Sequence, residues 1–461
     1  MTTLTTTPKP ASTLERRLGP FDGAAIVISN VIGGGILFFP VLIAASVPDG
    51  PLFLSTWLVG GGLAFCGAMG YAELAALRPR AGGEYVYLRE AYGPLAGFLT
   101  GWTSFVAGFA GAIAASSILF VFYLDRFIAG VNDPTPLLSI PIPYVGITIS
   151  RQTLMATAVA WAFAFVHWRG VGPGKTTTNI LAVGKVLAFL IFIAFGLSIG
   201  AGSSANLAGS AGTVTLTSYL SAFVLVMFTY SGWNAAAYMA EEVRNPGRNL
   251  PLALAMGTAA VVLIYLLINV LYLYVIPIGE LIKVEGSLLD RVADRLLGAR
   301  AGDIMGLVSL VSLAGTVNAN TFVGPRVYFA MARDGLFIPA AAHVHPRYKT
   351  PSRSIIAQAI WATLLILTGS LDALGNYVGF AITLFAGIAV AAVFVLRARE
   401  PSAPRPFRAI GYPLTPGIFV LASLAIVVNA IVTNPRVTGL GLLLIGAGIP
   451  VYFLFRLRGK T

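Results

Sequence analysis

Residues 22–46 read DGAAIVISNVIGGGILFFPVLIAAS, an apolar run with Gly33-Gly34-Gly35 at its centre. A membrane helix needs about 20 apolar residues. A glycine in a helix interior costs roughly 1 kcal/mol relative to alanine. Small residues let membrane helices pack closely, but three in succession point in different directions and make a poor packing face. In hydrocarbon, backbone groups freed by a break must find partners or face a cavity. The triplet therefore predicts a discontinuous helix. A second interruption, Ser231-Gly232-Trp233-Asn234, sits in the run 217–242. The two broken runs are the first and the sixth, so an inverted repeat of five helices would place both breaks at corresponding positions. Matched interruptions in two halves of a chain point to a transporter's binding site.

Ten more runs complete the pattern: 52–76, 95–124, 145–168, 179–201, 250–276, 302–332, 354–371, 373–396, 414–433 and 437–456. Only a turn around Leu371-Asp372 separates the ninth from the tenth. The 461-residue chain is 57% hydrophobic and 10% charged. A soluble domain carries about 25% charged residues, so these proportions exclude a soluble enzyme or binding module. An all-α integral membrane protein of twelve spans is expected.

The net charge of +12 is explained by placement. Of the 30 lysines and arginines, Arg126, Arg151, Lys283, Arg291, Arg295, Arg300 and Arg436 fall in one set of alternate loops. Lys185 lies within a run, and the other 22 fall at or near the opposite set. Basic residues mark cytoplasmic loops, so both termini are expected inside. Basic patches interleaved with aromatics are absent, which speaks against nucleic acid as a partner. The loop 277–301 mixes Glu280, Glu285, Asp290 and Asp294 with its basic residues and is expected to hold a short amphipathic helix. Cys66 is the only cysteine, so no intramolecular disulfide can form. The polar N-terminus, residues 1–18, reads as a cytoplasmic tail.

A broken helix leaves unpaired N–H groups at one end and unpaired C=O groups at the other. The first favours anions and the second cations. After Gly33-Gly34-Gly35 the N–H groups of the outer half-helix are available to a carboxylate, with no Cβ in the way. Around Phe228-Thr229-Tyr230 the carbonyls are available to an ammonium. Together they form a receptor for a zwitterionic α-amino acid. Run 3 has no acid before Asp125, run 8 none between Asp303 and Arg326, and run 10 none between Asp372 and Arg397. A cationic substrate would need one, so a neutral substrate is expected.

Lys185 lies about six residues, or about 9 Å, into the fifth run. It either snorkels to the boundary or carries a functional intramembrane charge. In the second case it ties run 1 to run 8 near Gly315 and Thr316, and proton coupling through it is open. Glu73, Glu241 and Glu242, at the ends of runs 2 and 6, read as salt bridges of an inner gate, or else as proton carriers. Glu73 is expected to pair with Arg78 or a loop arginine. Residues 170–176, GVGPGKT, fail the phosphate-loop spacing because Arg169 stands where a glycine is required. His343 and His345 lack neighbouring ligands, so no metal or cofactor is expected.

The chain resembles the amino acid–polyamine–organocation superfamily, and within it the L-type amino acid transporters. The resemblance rests on Ile32-Gly33-Gly34-Gly35-Ile36; on YAELAALRPRAGGEYVYLREAYGPLAGFLTGW (71–102); on AVGKVLAF (182–189), which holds Lys185; and on FTYSGWNAAAYMAEEVRNPGRNLP (228–251). NANTFVGPRVYFAMARDGLF (318–337), HVHPRYKTPSRSI (343–355) and RPFRAIGYPLTP (405–416) extend it over nearly the whole chain. It implies a leucine-transporter fold: a repeat over 19–201, its inverted copy over 202–398, and two further helices within 399–461, with helices 1 and 6 discontinuous. It implies substrate contacts from Ile32, Gly33, Gly34, Gly35, Phe228, Thr229, Tyr230, Ser231, Trp233 and Asn234. Phe228 would be an aromatic gate, and Lys185 would replace a sodium ion. The implied activity is Na⁺-independent alternating access for neutral L-amino acids, commonly as exchange. A broad or cationic uniporter, a proton symporter, and an amino-acid-binding sensor are the alternatives. Gly34 stands where the family carries a hydroxyl. Residues 125–150 lack the cysteine through which animal relatives bind a heavy chain, so a stand-alone, prokaryotic-type carrier in the plasma membrane is expected.

Overall fold

The computed structural model describes residues 14–141, 146–298, 301–369 and 371–458. Lys9, Arg300, Lys460 and the first thirteen residues of the expected tail lie outside them. The described residues are mostly helical. The first run forms α1 (Pro20–Val31) and α2 (Gly34–Ser46), bent by 48° at their junction. The second forms α3 (Gly50–Leu77), capped by the Asp49 carboxylate on the Leu52 N–H. A short helix outside the spans, α4 (Glu84–Tyr92), precedes α5 (Pro94–Leu124). Then come α6 (Arg151–Trp168), α7 (Val171–Ser198), α8 (Leu216–Tyr230), the four-residue α9 (Ala235–Tyr238) and α10 (Pro246–Val275). The remainder is α11 (Leu288–Leu297), α12 (Ala301–Arg333), α13 (Ser352–Thr368), α14 (Leu371–Arg399), α15 (Leu414–Thr433) and α16 (Pro435–Leu457).

Among the described residues eight helices are long and apolar enough to cross a membrane, or nine with the bent α1–α2 pair as one span. Helices α8 and α13 are apolar but shorter. Two of the twelve expected runs start elsewhere. The fourth was expected from residue 145, yet 147–149 pair as β2 (Ile147–Ile149) with β1 (Leu138–Ile140), and Ser150 caps α6 only afterwards. The fifth was expected from residue 179. Helix α7 begins at Val171, because the Thr- and Lys-containing segment 175–179 is held against α1 by Lys175 and Asn179 on the Asp22 carboxylate. Lys185 stands fourteen residues, about 21 Å, from the helix start, and its fully buried ammonium bonds carbonyls inside the protein, which speaks against the snorkelling alternative. The turn between runs nine and ten comes slightly early, at the left-handed Gly369.

Packing pairs runs that lie five apart in order. Helix α2 lies on α8, α3 on α10, α5 on α12, and α6 on α13. The loop between α10 and α12 holds the expected amphipathic helix. In α11, Leu288, Leu289, Val292, Ala293 and Leu296 are buried at helical spacing, and Arg291 is exposed.

Close helix seams depend on small residues. A Cβ on Gly257 of α10 would stand 2.6 Å from the Val27 Cβ and 3.1 Å from the Ala24 carbonyl oxygen of α1. Overpacking a tight core costs about 1–3 kcal/mol. Gly257→Val is expected to lower the melting temperature of the detergent-solubilised protein clearly, whereas Gly439→Ala, with open space around it, does not lower it. Equal melting curves for the two would mean that this seam adapts freely.

Candidate functional site

Both helix breaks line one cavity of about 610 Å³. Its wall includes Gly33, Gly34 and Gly35 at the start of α2, Phe228, Thr229, Ser231 and Asn234 around the end of α8, and Thr316 of α12. The first turn of α2 has no side-chain cap, so its N–H groups are available to an anion. The glycines are sterically required. A Cβ on Gly33 would overlap the Thr316 hydroxyl, and one on Gly35 would press on Thr229 at 3.2 Å. Gly232, at φ +102°, turns the chain after α8, and a Cβ there would lie 2.5 Å from Asn30 Oδ1. The two breaks are thus in mutual contact.

One side chain ties them together, and a second fastens the first break to α12. The Tyr265 hydroxyl of α10 lies 2.9 Å from the Val31 carbonyl oxygen and 3.2 Å from that of Thr229. The Lys185 ammonium donates to the carbonyls of Ile32 (2.6 Å), Ser312 (3.1 Å) and Ser29 (3.3 Å). Three N–H donors meet three acceptors at the C-terminal end of α1, where the helix dipole favours a cation. A Cβ on Gly315 would stand 2.6 Å from this ammonium, so Gly315 admits Lys185, and Thr316 closes the same turn of α12.

The remaining expected residues divide. Ile32 does not line the cavity; its carbonyl is taken by Lys185 and by the Ser312 hydroxyl at 3.1 Å. Tyr230 and Trp233 also face elsewhere. Tyr230 donates to the Trp57 carbonyl at 2.9 Å, and Trp233 packs edge-on against Tyr71 and Phe419. The Phe228 ring meets Phe39 at a centroid distance of 5.3 Å and lies beside Gly379 of α14. The Phe228 carbonyl accepts from the Ser231 N–H, and a second lone pair remains on it and on that of Thr229.

Glu73, Glu241 and Glu242 lie outside the cavity, in an ion-pair layer at the end of the molecule that carries residues 14–19. Glu242 pairs with Arg326 through two bonds of 2.8 and 3.1 Å, both side chains fully buried. Glu241 pairs with Arg333 at 2.8 and 2.9 Å. Glu73 binds Arg397 at 2.7 and 2.8 Å and lies 3.3 Å from Arg405. Of the two expected partners, a loop arginine, Arg405, does reach Glu73, whereas Arg78 does not, being held by Glu90 and Glu400. The Arg17 and Leu18 N–H groups donate to the Glu242 carbonyl, so the chain's entry belongs to the same layer.

Among the lining residues that the sequence did not reveal, Asn30 and Glu84 bear most on the chemistry. Asn30 Nδ2 is buried without a partner among the described residues, a spare donor beside the α2 N-terminus. Glu84 places a carboxylate on the cavity wall, so the acid-free cavity expected from runs 3, 8 and 10 is not what the fold builds. It arrives from α4, between runs, turned inward by Gly82 (φ +112°) and Gly83 (φ +50°). The signal was present in the Gly-Gly pair before a lone acid. Its carboxylate accepts from Tyr71, from Asn234 Nδ2 at 2.7 Å and from Thr100 at 3.3 Å, with Tyr238 also bonded. Burial pushes the Glu84 carboxyl above the usual range, and these donors oppose the shift.

Residues 18–455 match the amino acid permease family. The human b(0,+)-type amino acid transporter 1 is 31% identical, covering 97% of this chain and 89% of its own length. The human cystine/glutamate transporter is 30% identical, over 97% and 86%. The serine/threonine exchanger SteT of Bacillus subtilis is 28% identical, over 96% and 98%. The chain belongs to the amino acid permease family, within the amino acid–polyamine–organocation superfamily, whose members are transporters and not enzymes.

Gly33→Ala is expected to weaken amino acid binding at least about tenfold, about 1.4 kcal/mol, with Gly33→Ala/Thr316→Ala recovering part of the loss; unchanged affinity in the single variant would remove the α2 N-terminus from the site. Lys185→Ala is expected to slow transport more than about tenfold while the protein stays monodisperse in detergent. Wild-type rates at several pH values would leave Lys185 no role in the cycle.

Proposed function

We propose that this member of the family carries neutral L-α-amino acids across the plasma membrane by Na⁺-independent alternating access, as an exchanger. The observation that supports this reading best is the facing pair of helix breaks on one cavity. The α2 N–H groups and Asn30 Nδ2 receive the substrate carboxylate, and the last carbonyls of α8 receive its ammonium. Complementary backbone ends bind a zwitterion without a dedicated charged side chain. Lys185 occupies the place where a cation would otherwise join α1 to α12, which makes a sodium ion unnecessary. Exchange is the activity in SteT's name, and the relatives' names span neutral and charged amino acids.

The proposal includes twelve spans, with repeats over 19–201 and 202–398, helices 11 and 12 within 399–461, and both termini in the cytoplasm. The packing of runs five apart supports the repeat. The Glu242–Arg326, Glu241–Arg333 and Glu73–Arg397 pairs then close the cytoplasmic side. Opening that side requires the layer to separate while Phe228 and Phe39 close above the substrate. No covalently attached heavy chain is part of this reading.

Glu84 on the cavity wall favours one second reading, a carrier for cationic amino acids. The neutral reading stands ahead of it because Tyr71, Asn234, Thr100 and Tyr238 already occupy the carboxylate, which has about four lone-pair sites in all.

The test is uptake of labelled serine, leucine or alanine into Na⁺-free proteoliposomes, with and without unlabelled substrate inside. Uptake only into loaded vesicles is the expected result. Equal uptake into empty vesicles would replace exchange by uniport, and uptake of lysine alone would establish the cationic reading.

A further inference from the structure

Among the described residues six acids are buried: Asp22, Glu73, Glu84, Glu241, Glu242 and Asp290. Five are paired with a cation: Asp22 with Lys175, Glu73 with Arg397, Glu241 with Arg333, Glu242 with Arg326, and Asp290 with Arg126. Glu84 has no ion pair among the described residues, although it is only 8% exposed. The cations on the elements around it are committed elsewhere. Arg326 and Arg333 of α12 hold Glu242 and Glu241. Arg397 and Arg399 of α14 hold Glu73 and the Ala91 carbonyl. Arg89 of α4 itself holds Asp334. The titratable groups facing Glu84 are the phenols of Tyr71 on α3, Tyr87 on α4 and Tyr238 on α9; α5 contributes the Thr100 hydroxyl.

An unpaired carboxylate is tolerable while the cavity holds water and costly once it closes. The composition of the cage indicates how this is resolved. Three of its four partners are hydroxyls, which donate or accept by rotating one bond. When a proton arrives on Glu84, one hydroxyl turns from donor to acceptor and no heavy atom has to move. An ammonium would instead need carboxylate lone pairs that the cage already uses. The fourth partner, Asn234, lies directly after the break that ends α8, so the state of Glu84 is felt at the substrate site.

We propose that Glu84 is a proton-binding site of the transport cycle: it takes a proton from water in the open cavity, the carrier closes only with Glu84 neutral, and the proton returns to water when the cavity reopens. This rests on the transport reading above, and it adds a coupled ion that neither Lys185 nor the ion-pair layer supplies. The sign follows from the charge. Raising the pH ionises Glu84 in the open state, hinders closure and slows exchange; lowering the pH restores the rate.

Two measurements test it. The first is exchange of labelled neutral amino acid between about pH 5.5 and about pH 8.5, with equal pH on both sides. The wild type is expected to slow at least about tenfold over this range, which buried carboxyls can reach. Glu84→Gln, permanently neutral, should show a flat pH profile over this range, whatever its absolute rate. The second needs no transport: infrared difference spectra of the purified protein should show a protonated carboxylic acid band that titrates over the same range and is missing in Glu84→Gln. A wild-type rate independent of pH, the same pH profile in Glu84→Gln, or a band unchanged by that substitution overturns the proposal. If Glu84→Gln does not fold, Tyr71→Phe decides: loss of one donor to the ionised form should move the band's midpoint to higher pH, and an unmoved midpoint overturns the proposal. A chain that exchanges no amino acid at any pH refutes the transport reading, while the band still judges the proton site.

Discussion

The constraint on which the structure depends is the satisfaction of backbone polar groups where two helices are interrupted inside the protein. Each orphaned buried group costs about 1–3 kcal/mol, and a bilayer offers no water to relieve it. The answer is a small set of long side chains brought from other helices. Tyr265 takes the carbonyls of Val31 and Thr229, one from each break. Lys185 takes three carbonyls at the end of α1 and beside it on α12. These contacts fix where α1, α7, α8, α10 and α12 meet. The groups left over, the uncapped N–H groups of α2 and the spare lone pairs at the end of α8, face the cavity. Helix α5 widens beside them over the turn Ser104–Gly108, and α12 sets Thr316 against Gly33.

Charge is distributed by the same logic. Burying an ion is expensive unless a partner and hydrogen bonds go with it. The layer at the basic end meets that condition in bidentate pairs: Arg326 with Glu242, Arg333 with Glu241 and Arg397 with Glu73. Such a layer adds little net stability over an apolar one, but it has one geometry, and breaking a single pair strands a buried charge. That makes it suited to a two-state closure, held or separated as a unit. The parallel bridge between Leu18 and Val243 links the start of the chain to it.

Much of this was legible in the sequence because membrane helices write their length and their interruptions directly. The glycine triplet and the Ser-Gly-Trp-Asn break gave the two discontinuities and their mutual relation. The lysine in the fifth run, the acids at the ends of runs 2 and 6 and the amphipathic helix in the loop 277–301 were readable from charge placement. What escaped did so for identifiable reasons. The start of α7 was set too late because its first turns are polar; they are helical through Lys175 and Asn179 on Asp22, a tertiary contact that hydropathy does not encode. Tyr230 and Trp233 sit at the break, yet their side chains leave it: Tyr230 closes α8 on the face that meets Trp57, and Trp233 follows the left-handed Gly232. Glu84 was missed because acids were sought within the runs that line a pocket; Asn30 lies in the first run, but hydropathy does not show which of its side chains face a cavity. Glu84 reaches the cavity from a loop helix, and Asn30 faces it only because Gly232 lacks a side chain.

Lys185 and Glu84 are the two buried charges that stand without an ion-pair partner among the described residues, and their surroundings differ in kind. Lys185 offers three N–H groups to carbonyls, which can only accept. That arrangement has one hydrogen-bonding solution, so it holds α1, α7 and α12 in register. Glu84 stands among hydroxyls that can reverse, so its cage has two solutions of nearly the same geometry. A group meant to fasten is best given partners of fixed polarity, and one meant to change state is best given partners that change with it. The cavity lies between these two designs. On one side the ammonium secures the helix whose break presents N–H groups. On the other side Glu84 hydrogen-bonds Asn234, just after the break that presents carbonyls. In the proposed cycle the first charge builds the receptor, and the second links its occupancy to a proton without rebuilding it.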